Sequence, residues 1–486
     1  MMSISKIKEE IPDYVYRVAD KLLDSGFEAF LAGGAVKDLL LGREPKDYDL
    51  ATDAIPRQVE KIFPGSVATN ARFGTVLVIM DDKQGERFDV EVTTYRKEEE
   101  YVGGRWPSKV EFTSEIEQDL SRRDFTINAM ALNLARINSP SVTTEELLID
   151  PFGGQDDLIK AKRLRAVRDP LERFSEDGLR GYRACRLAAE LGFEIDSNTF
   201  GAISSTLHIA RKISIERVRD ELIKLLQYAP KPSVGIELMR ESGLLELFLP
   251  ELLELRGIEQ PEWHVEDVYN HSLNTLDMAE DSIKLASLLH DVGKGRTRSE
   301  DEKGVHFFSH DVVGAEMTRE ILTRLRFPKR VVEKTASLVR WHMFYYPSAD
   351  WRKDNEVDNS LLKSSGGWTD GAIRRFIKNV GVELIEDLFR LRIADAASNP
   401  KSVFNPLEIQ ALENRISEVR AKEMVLKISD LDISGEDLKG LGIKSGPVMG
   451  NILNQLLDRV IDEPFLNERG KLLDIVTELR KGIDTE

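Results

Sequence analysis

The sequence predicts a small α/β head with a mixed sheet, followed by an elongated all-helical body. Runs rich in β-branched residues are confined to the first part of the chain, as in TVLVIM at 75–80 and RFDVEVTTY at 87–95. After the turn signal DPFGG at 150–154, apolar residues recur at helical spacing to the C-terminus. A chain of 486 residues is also too long for one hydrophobic core, so we expect several domains.

Composition indicates a soluble globular protein of the cytoplasm. Hydrophobic residues make up 41% and charged residues 31% of the chain, and no run approaches the roughly 20 apolar residues of a membrane span. The segment MMSISKIKEEIPDYVYRVADKLLDSG has helical spacing and no apolar h-region, so we expect a first helix and no signal peptide. The single cysteine, Cys185, excludes an internal disulfide and is expected to be a packed residue in a reducing compartment. The net charge of -17 argues against indiscriminate coating of nucleic acid.

Two aspartates one residue apart follow a Gly-Gly pair in FLAGGAVKDLLLGREPKDYDLATD at 30–53. In an extended segment Asp47 and Asp49 point to the same face, where they repel each other unless a cation lies between them. Glu91 lies on one face of the predicted strand 87–95. We expect the end of this strand to lie beside the segment that carries Asp47 and Asp49. Because carboxylate and triphosphate oxygens suit Mg²⁺, we predict that Asp47, Asp49 and Glu91 are catalytic and that Asp47 and Asp49 hold Mg²⁺.

Each part of this pattern is weak by itself. An isolated DxD is more often a solvated turn, and a lone Gly-Gly pair is weaker still. Gly33 and Gly34 do leave backbone N–H groups free to approach phosphates at the start of a helix. The combination of the glycine pair, the two aspartates and the later acidic strand resembles the nucleotidyltransferase head of the DNA polymerase beta-like superfamily.

A second cluster lies in SEDGLRGYRACR at 175–186. Asp177, Arg180, Arg183 and Arg186 recur every three residues, so on a helix they form one slowly drifting stripe. Arginine forks donate bidentately, which suits base edges and triphosphate oxygens. The alternative interpretation is an ion-paired, solvated helix face.

Seven motifs occur here in the order found in class II tRNA nucleotidyltransferases, a family of CCA-adding enzymes, their CC- and A-adding relatives, and bacterial poly(A) polymerases. The resemblance covers about residues 28–230. It implies template-independent addition of CCA, from CTP and ATP, to the 3′ end of tRNA by two-metal nucleotidyl transfer. The motifs are GGAVKDLLLGREPKDYDLAT, FGTVLV, EVTTYR, YVGGRWPSKVEF, DLSRRDFTINAMA, IDPFGGQDDL and RFSEDGLRGYRACRLAAELGFEI.

The resemblance implies roles for several residues of these motifs. Asp177 and Arg180 are similar to the pair that hydrogen-bonds the Watson–Crick edge of the incoming base, in place of a nucleic-acid template. The segment 96–110 resembles the flexible loop that CCA-adding enzymes use when they switch from CTP to ATP, which favours a final A addition. The implied nucleotide-binding residues are Gly34, Lys37, Arg123, Asp177, Arg180, Arg183 and Arg186, with Asp124 and Asn128 as weaker candidates.

Three features depart from the family pattern or bear on its branches. Lys37 stands where the family usually has Arg, so a point charge replaces a bidentate fork. Phe73 stands where members often carry His. The basic motif that marks bacterial poly(A) polymerases is not evident, which lowers the poly(A) interpretation.

Six of the seven histidines fall between residues 264 and 342. With NHSL, LLHDVGKG, FFSHDVVGAE, RWHM and RIADAAS, they resemble an HD-type metal phosphohydrolase, and Lys294 is a candidate contact to substrate phosphate. Imidazole and carboxylate ligands suit Mn²⁺, Fe, Ni²⁺ or Co²⁺, and a metal-bound water would attack a phosphate ester. The alternative is a set of packing or helix-capping histidines. His264 and His306 fit no ligand position, so we expect them to support the ligands or to be structural. The implied metal ligands are His271, His290, Asp291 and Asp395 for one ion and His310 and His342 for a second, with Asp291 bridging.

The domains follow from these assignments. We predict a nucleotidyltransferase head at 1–152, a helical neck for nucleotide selection and tRNA binding at 153–255, an HD metal-dependent phosphohydrolase at 256–400, and a helical tRNA-binding tail at 401–486. A turn at 440–450 in the tail suits a nucleic-acid backbone or a plain helix connection equally. The predicted partners are tRNA, CTP and ATP, and the chain is expected to be a monomer or a homodimer.

Three other functions stay open at this point. The chain could be an A-adding enzyme or a poly(A) polymerase, or an HD phosphohydrolase with a degenerate head. It could also be a non-catalytic RNA-binding protein, although a pure binder has no use for grouped carboxylates beside phosphate.

Overall fold

The computed structural model describes residues 4–70, 73–81, 85–102, 106–137, 143–260, 266–302, 304–344, 368–401, 406–421 and 427–483. The chain forms two compact units, Met1–Leu253 and Glu254–Glu486. The predicted fold class is confirmed, because a mixed sheet lies in the first unit and the remainder is mostly helical. Over these ranges no helix combines the length and apolar character that a membrane crossing requires.

The first unit is built on a mixed sheet, which has seven strands in the described part of the chain. The strand order is β3-β4-β5-β2-β1-β8-β9, and β2 and β5 are parallel while the other neighbours are antiparallel. The strands are β1 Phe30–Ala32, β2 Leu50–Thr52, β3 Val67–Asn70, β4 Thr75–Asp81, β5 Arg87–Thr94, β8 Ala131–Asn133 and β9 Leu148–Ile149.

The two predicted β-branched runs form β4 and β5 because their alternate residues face the core. Val76 and Val78 of β4 and Val90 and Val92 of β5 are fully buried. Glu91 between the last two is exposed on the opposite face. The strand period therefore turns the acidic residue outward while its neighbours hold the sheet.

The predicted flexible loop at 96–110 is largely a β-hairpin. Strand β6, Arg96–Val102, pairs antiparallel with β7, Trp106–Phe112. Residues 103–105 of this prediction lie outside the described residues. The hairpin follows β5 after one residue, so it begins at the same edge of the unit as the acidic strand.

The prediction of one N-terminal helix is wrong in detail, since two helices occupy this segment. They are Ile4–Glu10 and Asp13–Asp24. Pro12 lies between them, has extended backbone and precedes the first turn of the second helix. Proline disfavours helical backbone in the residue before it and has no N–H to continue a helix, so the first helix ends ahead of Pro12.

Helices complete the first unit, together with a short parallel pair formed by β10, Arg163–Leu164, and β11, Glu194–Ile195. A 3₁₀ turn spans Thr126–Asn128 and a π-helical turn spans Asp157–Ala161. The further helices are Gly34–Leu41, Pro56–Ile62, Ile116–Ser121, Thr144–Leu147, Gly154–Asp156, Pro170–Glu176, Leu179–Leu191, Ser197–Ser205, Leu207–Ala210, Ile215–Tyr228, Pro232–Glu241 and Leu244–Phe248.

Among its described residues, the second unit is helical apart from a small hairpin of β12, Ser299–Asp301, and β13, Gly304–His306. Its 3₁₀ turns include Pro250–Leu255 at the junction, Val382–Leu384, Ile428–Asp430 and Pro464–Leu466. Its α-helices are Val268–Met278, Lys284–Leu289, Lys294–Thr297, His310–Arg324, Lys329–Trp341, Asp370–Val380, Ile385–Ser398, Pro406–Ala421, Gly435–Gly440, Pro447–Asp462 and Arg469–Ile483.

Apolar clusters hold the described part of this second unit. One joins buried residues from Ala279 to Val419, and a second joins residues from Leu431 to Val476. The predicted turn at 440–450 lies between two helices of the second cluster. The predicted domain limits stay predictions.

Candidate active site and metal centre

A cavity of about 720 Å³ in the first unit brings together nearly all the residues predicted for nucleotide transfer. Its walls come from the head and from the two long helices Leu179–Leu191 and Ile215–Tyr228. Glu91, the one predicted residue that does not line it, is an exposed neighbour. The lining residues from the prediction are Gly34, Lys37, Asp47, Asp49, Arg123, Asp177, Arg180, Arg183 and Arg186.

The sheet places Asp49 beside Glu91. Leu50 of β2 pairs with Val92 of β5 in parallel register, so the residues just before them are neighbours at one edge. The main chain is fixed there as well, because the Asp49 carbonyl accepts a hydrogen bond of 3.0 Å from the Ala32 N–H. The predicted meeting of carboxylates therefore follows from strand register.

These carboxylates repel each other. Burial and the negative charge of Glu91, with a further contribution from Asp47, raise the pKa of Asp49 to about 6, although Arg123 acts in the opposite direction. A partly buried carboxylate whose neighbours are also acidic is stabilised by a cation bound among them. Oxygen ligands grouped in this way fit Mg²⁺.

Arg123 reaches the cavity across the glycine pair. Gly33 has φ of 77°, and a Cβ atom there would lie 2.5 Å from Nη1 of Arg123. The same nitrogen lies 3.5 Å from the carbonyl oxygen of Asn128. Gly33 is therefore needed twice, for its left-handed backbone and for the space that the guanidinium fills.

Asp119 is not among the predicted site residues, yet it binds Arg122 and Arg123, two arginines that line the cavity. The carboxylate is 1% exposed, and Arg122 donates to it from Nε at 2.9 Å and from Nη2 at 2.8 Å. Arg123 lies 3.4 Å away, and the Arg96 N–H at the start of β6 donates at 3.3 Å. Burial acts to raise the pKa of Asp119, but Arg122 and Arg123 outweigh it and hold that pKa below its usual range. Asp119 has a local signal, because it opens the motif DLSRRDFTINAMA and stands three and four residues before Arg122 and Arg123. Only its contact with the Arg96 N–H, 23 residues away, depends on the tertiary fold.

The predicted stripe begins outside the helix, which corrects the expectation that all four residues share one helix. Asp177 has extended backbone between helices Pro170–Glu176 and Leu179–Leu191. Its Oδ1 accepts a hydrogen bond of 3.0 Å from the Leu179 N–H. Asp177 therefore lies at the start of the helix that carries Arg180, and both residues still line the cavity.

Each member of the stripe has an internal ionic partner, so the alternative of an ion-paired face is correct in part. Arg180 lies 2.5 Å from Glu176 and Arg183 lies 2.7 Å from Asp124. These side chains also line the cavity, and their partners hold them in place. The remaining pairs are Arg186 with Glu221 at 2.6 Å and with Glu190 at 2.7 Å, and Asp177 with Arg217 at 2.7 Å.

The two departures from the family pattern also lie at the cavity. Lys37 is buried and forms an ion pair with Asp38. Phe73 lines the cavity, and its carbonyl accepts a hydrogen bond from Arg96. A cation is therefore retained at position 37, and residue 73 connects the cavity to the start of the hairpin.

In the second unit, four histidines surround one aspartate. Oδ2 of Asp291 lies 3.2 Å from Nε2 of His290 and 3.8 Å from Nε2 of His271. Oδ1 of the same carboxylate lies 3.5 Å from Nε2 of His310 and 3.7 Å from Nε2 of His342. The two oxygens thus face two separate histidine pairs, as a carboxylate that bridges two metal ions would.

Hydrogen bonds fix which ring nitrogen points inward. The Nδ1–H of His290 donates to the carbonyl oxygen of Ser287 at 2.8 Å. The Nδ1–H groups of His310 and His342 likewise donate to the carbonyl oxygen three residues earlier. The Nε2 atoms of these three rings are buried and make no hydrogen bond within the described residues. Imidazole nitrogens that are grouped around one carboxylate, with the other ring nitrogen held by a carbonyl, fit ligands of a divalent metal.

Asp395 completes the first set. Its Oδ1 lies 3.0 Å from Nε2 of His271, whose Nδ1 lies 3.1 Å from the hydroxyl oxygen of Ser398. Burial acts to raise the pKa of Asp395, but the hydrogen bond from His271 and the nearby charges hold it below the ordinary value. The structure therefore brings all six predicted ligands into one centre, and Asp395 is available as a carboxylate.

Lys294 lies 2.7 Å from Asp291 and donates to the amide oxygen of Gln260 at 2.7 Å. Burial acts to raise the pKa of Asp291, but His290 and Lys294 outweigh it and hold that pKa well below its usual range. His306 pairs instead with Asp301 at 2.9 Å, in keeping with its exclusion from the ligand set. His264 lies outside the described residues.

Comparison with known families gives four matches along the chain. The poly(A) polymerase head domain matches residues 29–165, and the RNA- and SrmB-binding site of polymerase A matches residues 192–255. The HD domain matches residues 267–399. A domain described as tRNA nucleotidyltransferase domain 2 matches residues 382–476.

Whole proteins are similar as well. The chain is 40% identical over 491 residues to a CCA-adding enzyme of Lactococcus lactis subsp. cremoris, with 100% of both chains covered. It is 41% identical over 251 residues to a CCA-adding enzyme of Lactococcus lactis subsp. lactis, an alignment that covers 52% of this chain and 59% of that protein. The crystal structure of the Bacillus stearothermophilus CCA-adding enzyme in complex with CTP has a TM-score of 0.65 at 24% identity, with 97% and 98% coverage, and shares the fold.

Proposed function

The chain belongs to the family of CCA-adding enzymes, which are tRNA nucleotidyltransferases, and we propose that it adds C, C and A to the 3′ end of tRNA from CTP and ATP. The observation that carries the proposal is that the acidic pair Asp47 and Asp49 and the base-reading pair Asp177 and Arg180 line the same cavity. A nucleotide that fills it would present its base to one pair and its triphosphate to the other.

Base selection follows from the hydrogen-bonding atoms that the reading pair has left. Arg180 donates from Nη1 to the carbonyl of Arg173 and to Glu176, and from Nη2 to the carbonyl of Arg122. The Arg180 guanidinium has five N–H donors and uses three of them in these bonds. Its Nε–H and one Nη2–H therefore have no partner among the described residues. Asp177 supplies acceptors only. Cytosine and adenine present an amine beside a ring acceptor, whereas guanine and uracil present a carbonyl at that position. Asp177 and Arg180 therefore suit C and A.

The transfer step needs positioning and charge neutralisation. Asp47, Asp49 and Glu91 are the residues that would hold Mg²⁺. When bound, the ion would lower the pKa of the attacking 3′-hydroxyl and neutralise the leaving pyrophosphate. Arg123 and Arg183 supply fixed cations for the triphosphate oxygens, oriented beforehand by Asp119 and Asp124. No side-chain base is required in this arrangement.

We further propose that the second unit hydrolyses phosphate esters, such as 2′,3′-cyclic phosphates or terminal phosphates at damaged tRNA ends. The support is the centre formed by four histidines with Asp291 and Asp395, whose inward nitrogens suit Mn²⁺, Fe, Ni²⁺ or Co²⁺. Lys294 beside Asp291 is placed to meet a substrate phosphate. Cytoplasmic location and the monomeric or dimeric state stay predictions from the sequence.

The acidic pair gives the direct test. Asp47→Asn and Asp49→Asn should each lower the rate of nucleotide addition by a hundredfold or more, roughly the effect of losing a ligand to a catalytic metal. Asp89→Asn is the matched control, because Asp89 is exposed two residues before Glu91 and does not line the cavity. Retained addition in the Asp49 variant would contradict the assignment of this site.

A further inference from the structure

Arg217 binds the carboxylate of Asp177, the aspartate proposed to read the base. It belongs to helix Ile215–Tyr228, and its fork meets both carboxylate oxygens of Asp177, with Nη1 3.2 Å from Oδ1 and Nη2 2.7 Å from Oδ2. The Leu179 N–H donates to Oδ1 as well, at 3.0 Å. The two residues are 40 positions apart, so folding alone brings them together.

These contacts leave Asp177 with one acceptor site. A carboxylate offers about four lone-pair directions, two on each oxygen. Oδ1 uses both, for Arg217 and for Leu179, whereas Oδ2 uses one, for Arg217. A single direction on Oδ2 is left over among the residues that the structure describes, and one direction matches the one N–H that an exocyclic amine can point at it.

The helix that carries Arg217 is itself fixed to the nucleotide-binding helix. Glu221, one turn further along, is buried and lies 2.6 Å from Arg186. Arg217 and Asp177 are partly exposed, at 25% and 19% for their side chains. A pair of that exposure contributes little to stability, so its bidentate geometry is better explained by orientation.

We propose that Arg217 is a positioning residue for nucleotide selection. It locks Asp177 in one orientation, so that Oδ2 alone accepts from the base and a carbonyl at that place is rejected. The inference rests on the proposed function, because it assigns Arg217 to the selection of C and A at the same site. Without the fork, the carboxylate would turn about its side-chain bonds and lose its fixed direction.

The test compares Arg217→Gln and Arg217→Lys with the matched control Arg219→Gln. Arg219 lies on the same helix and pairs with the adjacent Asp220 at 2.7 Å. For each variant of the full chain, kcat/KM is measured for CTP, ATP, UTP and GTP on tRNA transcripts, together with thermal unfolding. Selectivity for CTP and ATP over UTP and GTP should fall about tenfold or more in Arg217→Gln, since rejection depends on an aligned polar group.

The selectivity of Arg217→Lys for CTP and ATP should lie between that of the wild type and that of Arg217→Gln, because lysine keeps the charge and loses the bidentate fork. Arg219→Gln should keep wild-type selectivity. In an Asp177→Asn background, Arg217→Gln should add no further loss, since the two residues act as one unit. If Arg217→Gln slows all four nucleotides equally, or leaves selectivity unchanged, the positioning role is overturned while CCA addition by the wild type stands. If the wild type adds no nucleotide at all, the proposed function itself fails.

Discussion

The absence of a Cβ atom at Gly33 leaves space for the Arg123 guanidinium beside the cavity. Adding that one atom should therefore change nucleotide binding. In Gly33→Ala the new Cβ would lie 2.5 Å from Nη1 of Arg123, so the guanidinium must move. We expect KM for CTP and ATP to rise about tenfold, because a charge-assisted hydrogen bond contributes roughly 1.5–3 kcal/mol. Steady-state kinetics on a tRNA transcript measures the effect.

Gly26→Ala is the matched control for that variant. Gly26 has φ of 85° and no atom within 4 Å of an added Cβ, so it shares the backbone strain of Gly33→Ala without the clash. Both variants should lose about 1 kcal/mol of stability. An unchanged KM in Gly33→Ala would mean that Arg123 does not contact the nucleotide.

Cys185 is expected to be chemically silent. It is fully buried in helix Leu179–Leu191, and burial raises the pKa of its thiol to about 12. The reactive species is the thiolate, and its fraction at pH 8 is far smaller than for an exposed cysteine. Alkylation by iodoacetamide at pH 8 should therefore be undetectable in the folded protein and rapid in urea. Fast alkylation of the folded protein would show that the helix opens readily.

At the scale of elements, Asp119 joins helix Ile116–Ser121 to the start of β6 and to the arginine wall. Asp119→Asn should cost about 3 kcal/mol of folding free energy, because it leaves Arg122 partly uncompensated in a buried place. Glu117→Gln, an exposed change on the same helix, is the control and should be within about 0.5 kcal/mol of the wild type. Urea unfolding at pH 7 measures both.

The same variant gives a pH prediction. The pKa of Asp119 in the folded protein lies below its ordinary value of 3.8, so its ionised form stabilises the fold above that value and the contribution is lost as the pH falls further. The stability difference between the wild type and Asp119→Asn should therefore be full at pH 7 and shrink below pH 3.8. A difference that stays constant down to pH 3 would show that the charge of Asp119 is not what matters.

Elements differ in how far the sequence predicts them. The strands at 75–81 and 87–94 follow from β-branched alternation, and their register then brings Asp49 to Glu91. The break between the first two helices has a local signal in Pro12, which apolar spacing alone does not reveal. The three-residue spacing predicts Asp177 on the helix, because spacing alone does not indicate the residue at which a helix starts.

The site was predictable to the extent that its residues lie in contiguous motifs. The acidic pair, the arginines and the metal ligands lie in such motifs, and the structure brings them together at two places. Arg217 has no such signal, because its partner Asp177 lies 40 residues away. Asp119 does lie in a motif, DLSRRDFTINAMA, but its contact with the start of β6 spans 23 residues. Tertiary contacts of this kind appear only once the chain is folded.

At the scale of the whole molecule, the two candidate centres lie in different compact units. His290→Ala should abolish binding of transition metal and hydrolysis of 2′,3′-cyclic AMP while nucleotide addition continues. His306→Ala is the matched control, since His306 pairs with Asp301 outside the metal centre. Metal content by mass spectrometry and the two activities are measured on the same preparations. Loss of addition in His290→Ala would contradict the independence of the centres.

The central claim is that the chain completes CCA. It is tested by extending three tRNA transcripts, which end at the discriminator base, at C and at CC, with CTP, ATP or both. The account predicts that all three grow to CCA and stop there. Extension of only the CC-ending transcript would contradict full CCA addition and indicate an A-adding enzyme, whereas long A tails would indicate a poly(A) polymerase. No extension of any transcript would contradict the account and leave the histidine centre as the main candidate for activity.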